Sequence, residues 1–184
     1  MRILSIHVDT VWYRTTRKTK VAEDIGPKED RVDECVVLFS CVEKLDEQNP
    51  SHVVASAVKN IIARLRKLKV NRVLIYPYAH LTSTLGSPEC ALAILKSLEK
   101  ELCSAAVDVK RAPFGWNKEF EIHSKGHPLA ELSMTICPYE KTECNFRCPY
   151  CKNPVNETDL EKLVSATNAA SNSKKTFAGF EVSR

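Results

Sequence analysis

Two helix-start signals, each placed between apolar runs, constrain this chain most. Asn49-Pro50 puts a side-chain cap before a proline of preset φ, and Ser87-Pro88 repeats the arrangement. Behind the first, Val54, Ala57, Val58, Ile61, Ile62, Leu65 and Leu68 recur at helical spacing. Arg64, Arg66, Lys67 and Lys69 crowd its last turns, where cations suit the helix dipole. Behind the second come Leu92, Leu95, Leu98 and Leu102. Strands are expected at Met1 to Arg14, Cys35 to Lys44, Asn71 to Tyr78, Val107 to Ala112 and Phe120 to Ser124. The run CVVLFSCVEK is apolar nearly throughout, as in a strand buried on both faces. The polar stretch with Arg17, Lys18, Lys20, Gly26 and Pro27 reads as a loop or hairpin arm. Strand, helix, strand, helix, strand is the order of an α/β layered fold with a mostly buried sheet.

A length of 184 residues suits one domain plus a small appendage. Hydrophobic residues make 43% and charged residues 27%, an ordinary globular balance. With 5 glycines, collagen, glycine-rich linkers and most glycine-loop nucleotide folds are excluded. GxSxG, HExxH, GxGxxG and P-loop patterns are all missing, so no covalent nucleophile is marked. The first apolar stretch is broken by His7 and Asp9 and has no cleavage site, and no charge-free run reaches a membrane span. A cytoplasmic protein with reduced thiols is expected, so the 8 cysteines call for a core, catalytic or metal explanation. The net charge of +4 is compatible with nucleic acid without arguing for it. Arg14 to Lys20 and Arg64 to Lys69 are either phosphate contacts or the solvated ends of a strand and a helix.

Two segments gather polar chemistry. APFGWNK (Ala112 to Lys118) and SKGHPLAELS (Ser124 to Ser133) place Lys118, Lys125, His127 and Glu131 near a strand pair. PYAHLTS ends the third expected strand with His80, and open α/β sheets bind ligands outside the carboxyl ends of their strands. His7 and His52 look structural or exposed, and the sequence names no partner for His123. An enzyme built from these parts works by positioning and electrostatics.

MRILSIHVD, LFSCVEKLDEQNP, YPYAHLTS, APFGWNKEF and KGHPLAELSMTI, taken in order over residues 1–137, resemble the N-terminal editing domain of archaeal threonyl-tRNA synthetases. The resemblance implies a fold like D-aminoacyl-tRNA deacylase, here a layered sheet with helices; it stops there, and residues 138–184 read by composition as a small Cys-rich extension. It implies hydrolysis of serine wrongly attached to tRNA(Thr), proofreading for the synthetase in cis, or in trans as a freestanding chain. It also implies partners: the tRNA(Thr) acceptor end, a threonyl-tRNA synthetase catalytic chain or domain, and a second copy in a homodimer. No membrane and no cofactor enter the deacylation. By the same resemblance Lys118, His80 and Glu131 are the catalytic residues, and Val42, Glu43, Pro77, Ala79, Pro113, Phe114, Trp116 and Asn117 bind substrate. Asn117 stands where family members commonly have tyrosine, so a role for that hydroxyl does not transfer. Lys118 would supply positive charge, and His80 and Glu131 would orient water, the seryl group or ribose hydroxyls. Serine and threonine differ by one methyl, worth only about 1–3 kcal/mol of preference, so a pocket that sterically excludes threonine is the economical sieve. Rigid walls at Pro77–Ala79 and Pro113–Gly115 would serve it. A D-aminoacyl-tRNA deacylase and a noncatalytic tRNA-binding adaptor are the alternatives.

Cys144, Cys148 and Cys151 spell Cx3Cx2C, the radical S-adenosylmethionine cluster motif, but too few residues follow for that family's barrel. With Cys137 they make four thiols within 15 positions, a set suited to a structural zinc knuckle, with an iron–sulfur cluster or unliganded thiols as alternatives. Cys35, Cys41, Cys90 and Cys103 sit in apolar contexts and are expected in the core. A short helix is expected from Thr158 to Ala170, followed by a polar tail.

Overall fold

Strand β1 runs from Arg2 to Lys18 and lies antiparallel to β2, Glu29–Cys41. The computed structural model describes residues 1–25 and 28–139. After β2 a 3-10 turn, Lys44–Gln48, leads into helix α1, Pro50–Leu68, and then strand β3, Arg72–Pro77. Helix α2, Pro88–Ser104, leads to β4, Asp108–Arg111, and the chain returns through β5, Trp116–Ser124, and β6, Glu131–Thr135. The sheet order is β4-β3-β2-β1-β5, with β6 also paired to β1. β2, β3 and β4 are parallel, as helical crossovers require, and every pair made by β1 is antiparallel. This mixed α/β sheet with two helices agrees with the sequence reading.

Alternation along the strands explains the two cores. Val36, Leu38, Val73 and Ile75 turn one face of the sheet toward α1 and α2, where they meet Ala57, Ile61, Leu65, Ile94, Leu95 and Leu98. Val37, Phe39, Leu74 and Tyr76 turn the other way and pack with Val11, Tyr13 and Ile122. β2 is therefore buried on both faces from Cys35 onward, as its apolar run implies. The register of β1 against β5 shifts between Val8 and Thr10 and between Thr15 and Arg17. Such bulges bend a strand and raise its twist. Phe120 on β5 lies 5.6 Å, ring to ring, from both Phe39 and Tyr76.

The first helix signal is realised as written: Asn49 Oδ1 accepts the His52 backbone N–H at 3.2 Å, with Pro50 in the first turn. The second is realised differently. Ser87 makes no side-chain cap, and its backbone N–H donates to Glu47 Oε1 at 2.6 Å instead.

Arg64 departs from the sequence reading. It is not a solvated cation of the last turn but is 5% exposed. Its Nε donates to Ser5 Oγ at 3.3 Å, and one terminal nitrogen donates to the Leu129 and Ala130 carbonyls at 2.5 and 3.1 Å. It therefore ties α1 to the chain entering β6, and of the basic run only the later members face solvent. Cys35 and Cys41 are core as expected, whereas Cys90 is half-buried and Cys103 exposed. The buried Met1 ammonium donates to Asp46 Oδ1 at 2.5 Å and to the Ile136 carbonyl at 2.9 Å, closing the end of β6 onto the turn after β2. Among the described residues no helix is long and apolar enough to cross a membrane.

Candidate functional site

The carboxyl ends of the parallel strands form a cleft of about 520 Å³, a volume typical of small-molecule sites. β2 supplies Ser40 and Cys41 and leads into Val42; β3 supplies Tyr76 and Pro77 and leads into Tyr78, Ala79 and His80. Beyond β4 the chain turns through Phe114 and Gly115 into Trp116, Asn117 and Lys118 of β5. Leu85 and Gly86 close one side beside Val42, and Gly86 donates its N–H to the Val42 carbonyl at 3.0 Å. Thr19 and Val21, from the arm between β1 and β2, close the other.

Lys118 is the cation that lines this cleft. Its Nζ donates to the carbonyls of Pro113 and Trp116, at 2.9 and 3.0 Å, and lies 5.0 Å from the centre of the Tyr76 ring. An ammonium has three donors, so two are spent on backbone and one remains for the cleft. Burial pushes this lysine down to about 8, against the opposing pull of the Glu23 carboxylate. Across the cleft, His80 sits in the 3-10 turn Ala79–Leu81 that follows β3, its exposed ring 5.3 Å from Tyr78. Tyr76, Tyr78 and Phe120 line the cleft as an aromatic wall gathered around the buried Phe39 ring, at ring separations of 5.1 to 5.6 Å. Burial raises the Cys41 thiol to about 11, and it points at the Ala79 carbonyl 3.5 Å away, so it is no nucleophile.

Of the residues singled out in the sequence, the fold brings Lys118, His80, Val42, Pro77, Ala79, Phe114, Trp116 and Asn117 into one cleft. Pro113 is buried behind it and contributes the carbonyl that holds Lys118. Glu43 lies beside Val42 with its carboxylate turned to other partners: Arg2 Nε at 3.1 Å, the Thr82 hydroxyl at 2.8 Å and the Met1 ammonium at 3.5 Å. Glu131 is not among the residues lining the cleft; it is exposed at the start of β6, opposite Ile6. Lys118, Lys125, His127 and Glu131 do fall on the strand pair β5 and β6 and the segment between them, but of the four only Lys118 lines the cleft. Lys118 sits opposite Thr15 near one end of β1, while the Lys125 N–H and the Ala130 carbonyl bond to His7 and Glu131 pairs with Ile6 toward the other. His127 bonds His7, ring to ring, at 2.9 Å, and His123 finds Asp9 at 3.0 Å. The sequence reading missed the aromatic wall, although the YPY run carried part of it, and it missed the arm, whose polar composition gives no periodic signal.

The arrangement offers a half-buried cation, an imidazole and apolar walls. That suits binding an uncharged electrophile and stabilising negative charge that develops on it. Among the described residues no three histidines, cysteines or acids are placed to hold a metal. Cys144, Cys148 and Cys151 of the expected zinc knuckle, and the expected helix from Thr158, lie outside the described residues; Cys137 is half-buried.

A solved structure of a c-Myc DNA unwinding element binding protein superposes with a TM-score of 0.52 at 10% identity, over 73% of this chain and 98% of its own, a likeness of fold alone. Threonine–tRNA ligase of Methanococcus aeolicus is 46% identical over 143 residues, covering 78% of this chain and 23% of the ligase. That of Thermococcus sibiricus is 50% identical over 143 residues (76% and 23%), and that of Methanopyrus kandleri 42% identical over 174 (89% and 28%). The chain thus spans about a quarter of the length of these curated relatives. Residues 1–136 match the family described as the archaea-specific editing domain of threonyl-tRNA synthetase, and the chain belongs to that family.

Proposed function

We propose that this chain hydrolyses the ester joining L-serine to tRNA(Thr), proofreading for threonyl-tRNA synthetase, either joined to it or beside it. The observation that carries the reading is Lys118: a half-buried cation, held by two carbonyls, sharing an apolar cleft with His80. Ester hydrolysis needs a held acyl carbonyl, an oriented water and a positive field where the oxyanion forms. Lys118 supplies the field and fixes the terminal nucleotide or the water. His80 orients the water or the seryl group, and the substrate's own ribose 2′-hydroxyl shares the activation. Glu131 has no place in this single-chain cleft and is left without a step. The backbone around Val42, Pro77 and Ala79 forms the wall against which the threonine methyl would clash.

Release of L-serine, L-threonine and D-amino acids from charged tRNA tests the reading. Release of L-serine with L-threonine spared supports it. Release of D-amino acids alone replaces it with a D-aminoacyl-tRNA deacylase, and tRNA binding without release replaces it with an adaptor.

A further inference from the structure

The arm between β1 and β2 carries an acid that the reading so far does not use. Glu23 has a side chain only 9% exposed. Its two carboxylate oxygens meet the two terminal nitrogens of Arg111 at 2.7 and 3.0 Å, a fork-to-fork pair. Arg111 Nε donates at 2.7 Å to Glu99 of α2, so the guanidinium is held from both sides. The Phe114 backbone N–H also donates to the Glu23 carboxylate, at 2.8 Å. The Glu23 peptide adds its own bonds: its N–H donates to the Phe114 carbonyl at 3.1 Å, and its carbonyl accepts Trp116 Nε1 at 3.2 Å. One residue thus grips the Pro113–Trp116 turn at three points. Around that turn the arm approaches so closely that a Cβ on Gly115 would fall 2.5 Å from Ala22 Cα.

We propose that Glu23 is a positioning residue for Lys118: it locks the arm onto the Pro113–Trp116 turn, whose carbonyls aim the lysine ammonium into the cleft. The proposal rests on the deacylase reading above. The physical case has two parts. The Pro113 and Trp116 carbonyls are the only hydrogen-bond acceptors holding Lys118 Nζ among the described residues, and both belong to the turn that Glu23 fixes. Misplacing a positioned group by about 1 Å can cost on the order of 100-fold in rate. Glu23 is also the acid whose field favours the charged lysine in a site where burial disfavours it. The other groups around Lys118 are the Tyr76 ring on β3 and, across the cleft, Tyr78 and His80; Arg111 and Lys96 face Glu23 itself.

The test uses the full chain, seryl-tRNA(Thr) and two readouts. Single-turnover deacylation is followed against pH, and the Lys118 ε-carbon is titrated by NMR, assigned by its loss in Lys118→Met. Glu23→Gln removes the charge but little volume. It is expected to slow deacylation at least about tenfold and to move both the alkaline limb of the rate profile and the Lys118 midpoint to lower pH. Arg111→Lys keeps the charge opposite Glu23 but not the fork. It is expected to slow deacylation with limb and midpoint in place. Either variant reacting at the wild-type rate overturns the proposal. A slow Glu23→Gln whose limb and midpoint stay put overturns it as well, because a merely structural loss behaves that way. If the wild-type chain releases no serine, the deacylase reading fails, while the titration still reports whether Glu23 governs Lys118.

Discussion

Lys118 carries its charge against the cost of burial, with two backbone carbonyls and the Glu23 field on its side. Burial lowers it to about 8, against about 10.4 for a lysine in the unfolded chain. A base held below its unfolded value binds its proton less tightly in the native state. Stability is therefore lowest at pH values under about 8 and rises as pH climbs from about 8 toward about 10.4. Lys118→Met removes that penalty. The variant is expected to melt higher than wild type at neutral pH, with the advantage shrinking above pH 8, while seryl-tRNA(Thr) deacylation falls well over tenfold. A tenfold or smaller loss removes Lys118 from the chemistry. In wild type, deacylation corrected for spontaneous ester hydrolysis is expected to fall as pH passes about 8, since the ammonium is the working form. A rate that rises there instead makes the neutral amine a general base. The sequence announced Lys118 through the APFGWNK segment, but it could not announce Arg64. An arginine at helical spacing near a carboxyl end reads as a dipole partner, and its burial is set by carbonyls of Leu129 and Ala130, far along the chain.

At the scale of elements, both helices and the buried central strand were legible because periodicity and caps are local properties. What escaped was pairing. β1 continues past Arg14 to Lys18, through Thr16 and Arg17, because β5 lies alongside as far as Trp116 and supplies hydrogen bonds that polar residues do not advertise. β6 was hidden inside a cluster read for its charges, although Leu132 and Met134 alternate with Glu131, Ser133 and Thr135 as a strand should. The arm is the element on which the cleft depends, and Gly115 is where it presses hardest. Gly115 has φ +71°, and an added Cβ would lie 2.5 Å from the Val21 carbonyl as well as from Ala22. Gly115→Ala therefore combines a left-handed backbone cost, on the order of 1–2 kcal/mol, with a backbone clash that no rotamer relieves. The expected outcome is a lower melting temperature together with faster amide exchange at Thr19 and Glu23, whose N–H groups donate to Gly115 and Phe114. Unchanged exchange at those two amides would show that the arm is not held by this contact. Ala at a solvent glycine, Gly126, where an added Cβ meets nothing within 4 Å, is the matched control.

At the scale of the whole molecule, the cleft, both cores and the family match fall within the compact unit Met1–Tyr139. Every residue given a step in the proposed chemistry lies there. The Cx3Cx2C cysteines do not, which separates the two questions that the cysteine count raised. The zinc expected from the spacing of Cys137, Cys144, Cys148 and Cys151 is a question for elemental analysis, separate from the deacylation test. A fragment ending at Tyr139 is expected to fold cooperatively and to hydrolyse seryl-tRNA(Thr) in single turnover within about threefold of the full chain. Under reducing purification it should carry no zinc, whereas the full chain should carry one equivalent by elemental analysis. A full chain with neither zinc nor iron removes the metal reading and leaves the deacylase untouched. A fragment that folds, holds a wild-type Lys118 titration and yet releases no serine would place part of the catalytic machinery beyond Tyr139. A steep loss in multiple turnover alone, with single turnover preserved, would assign those later residues to capturing tRNA, because only binding and release separate the two measurements.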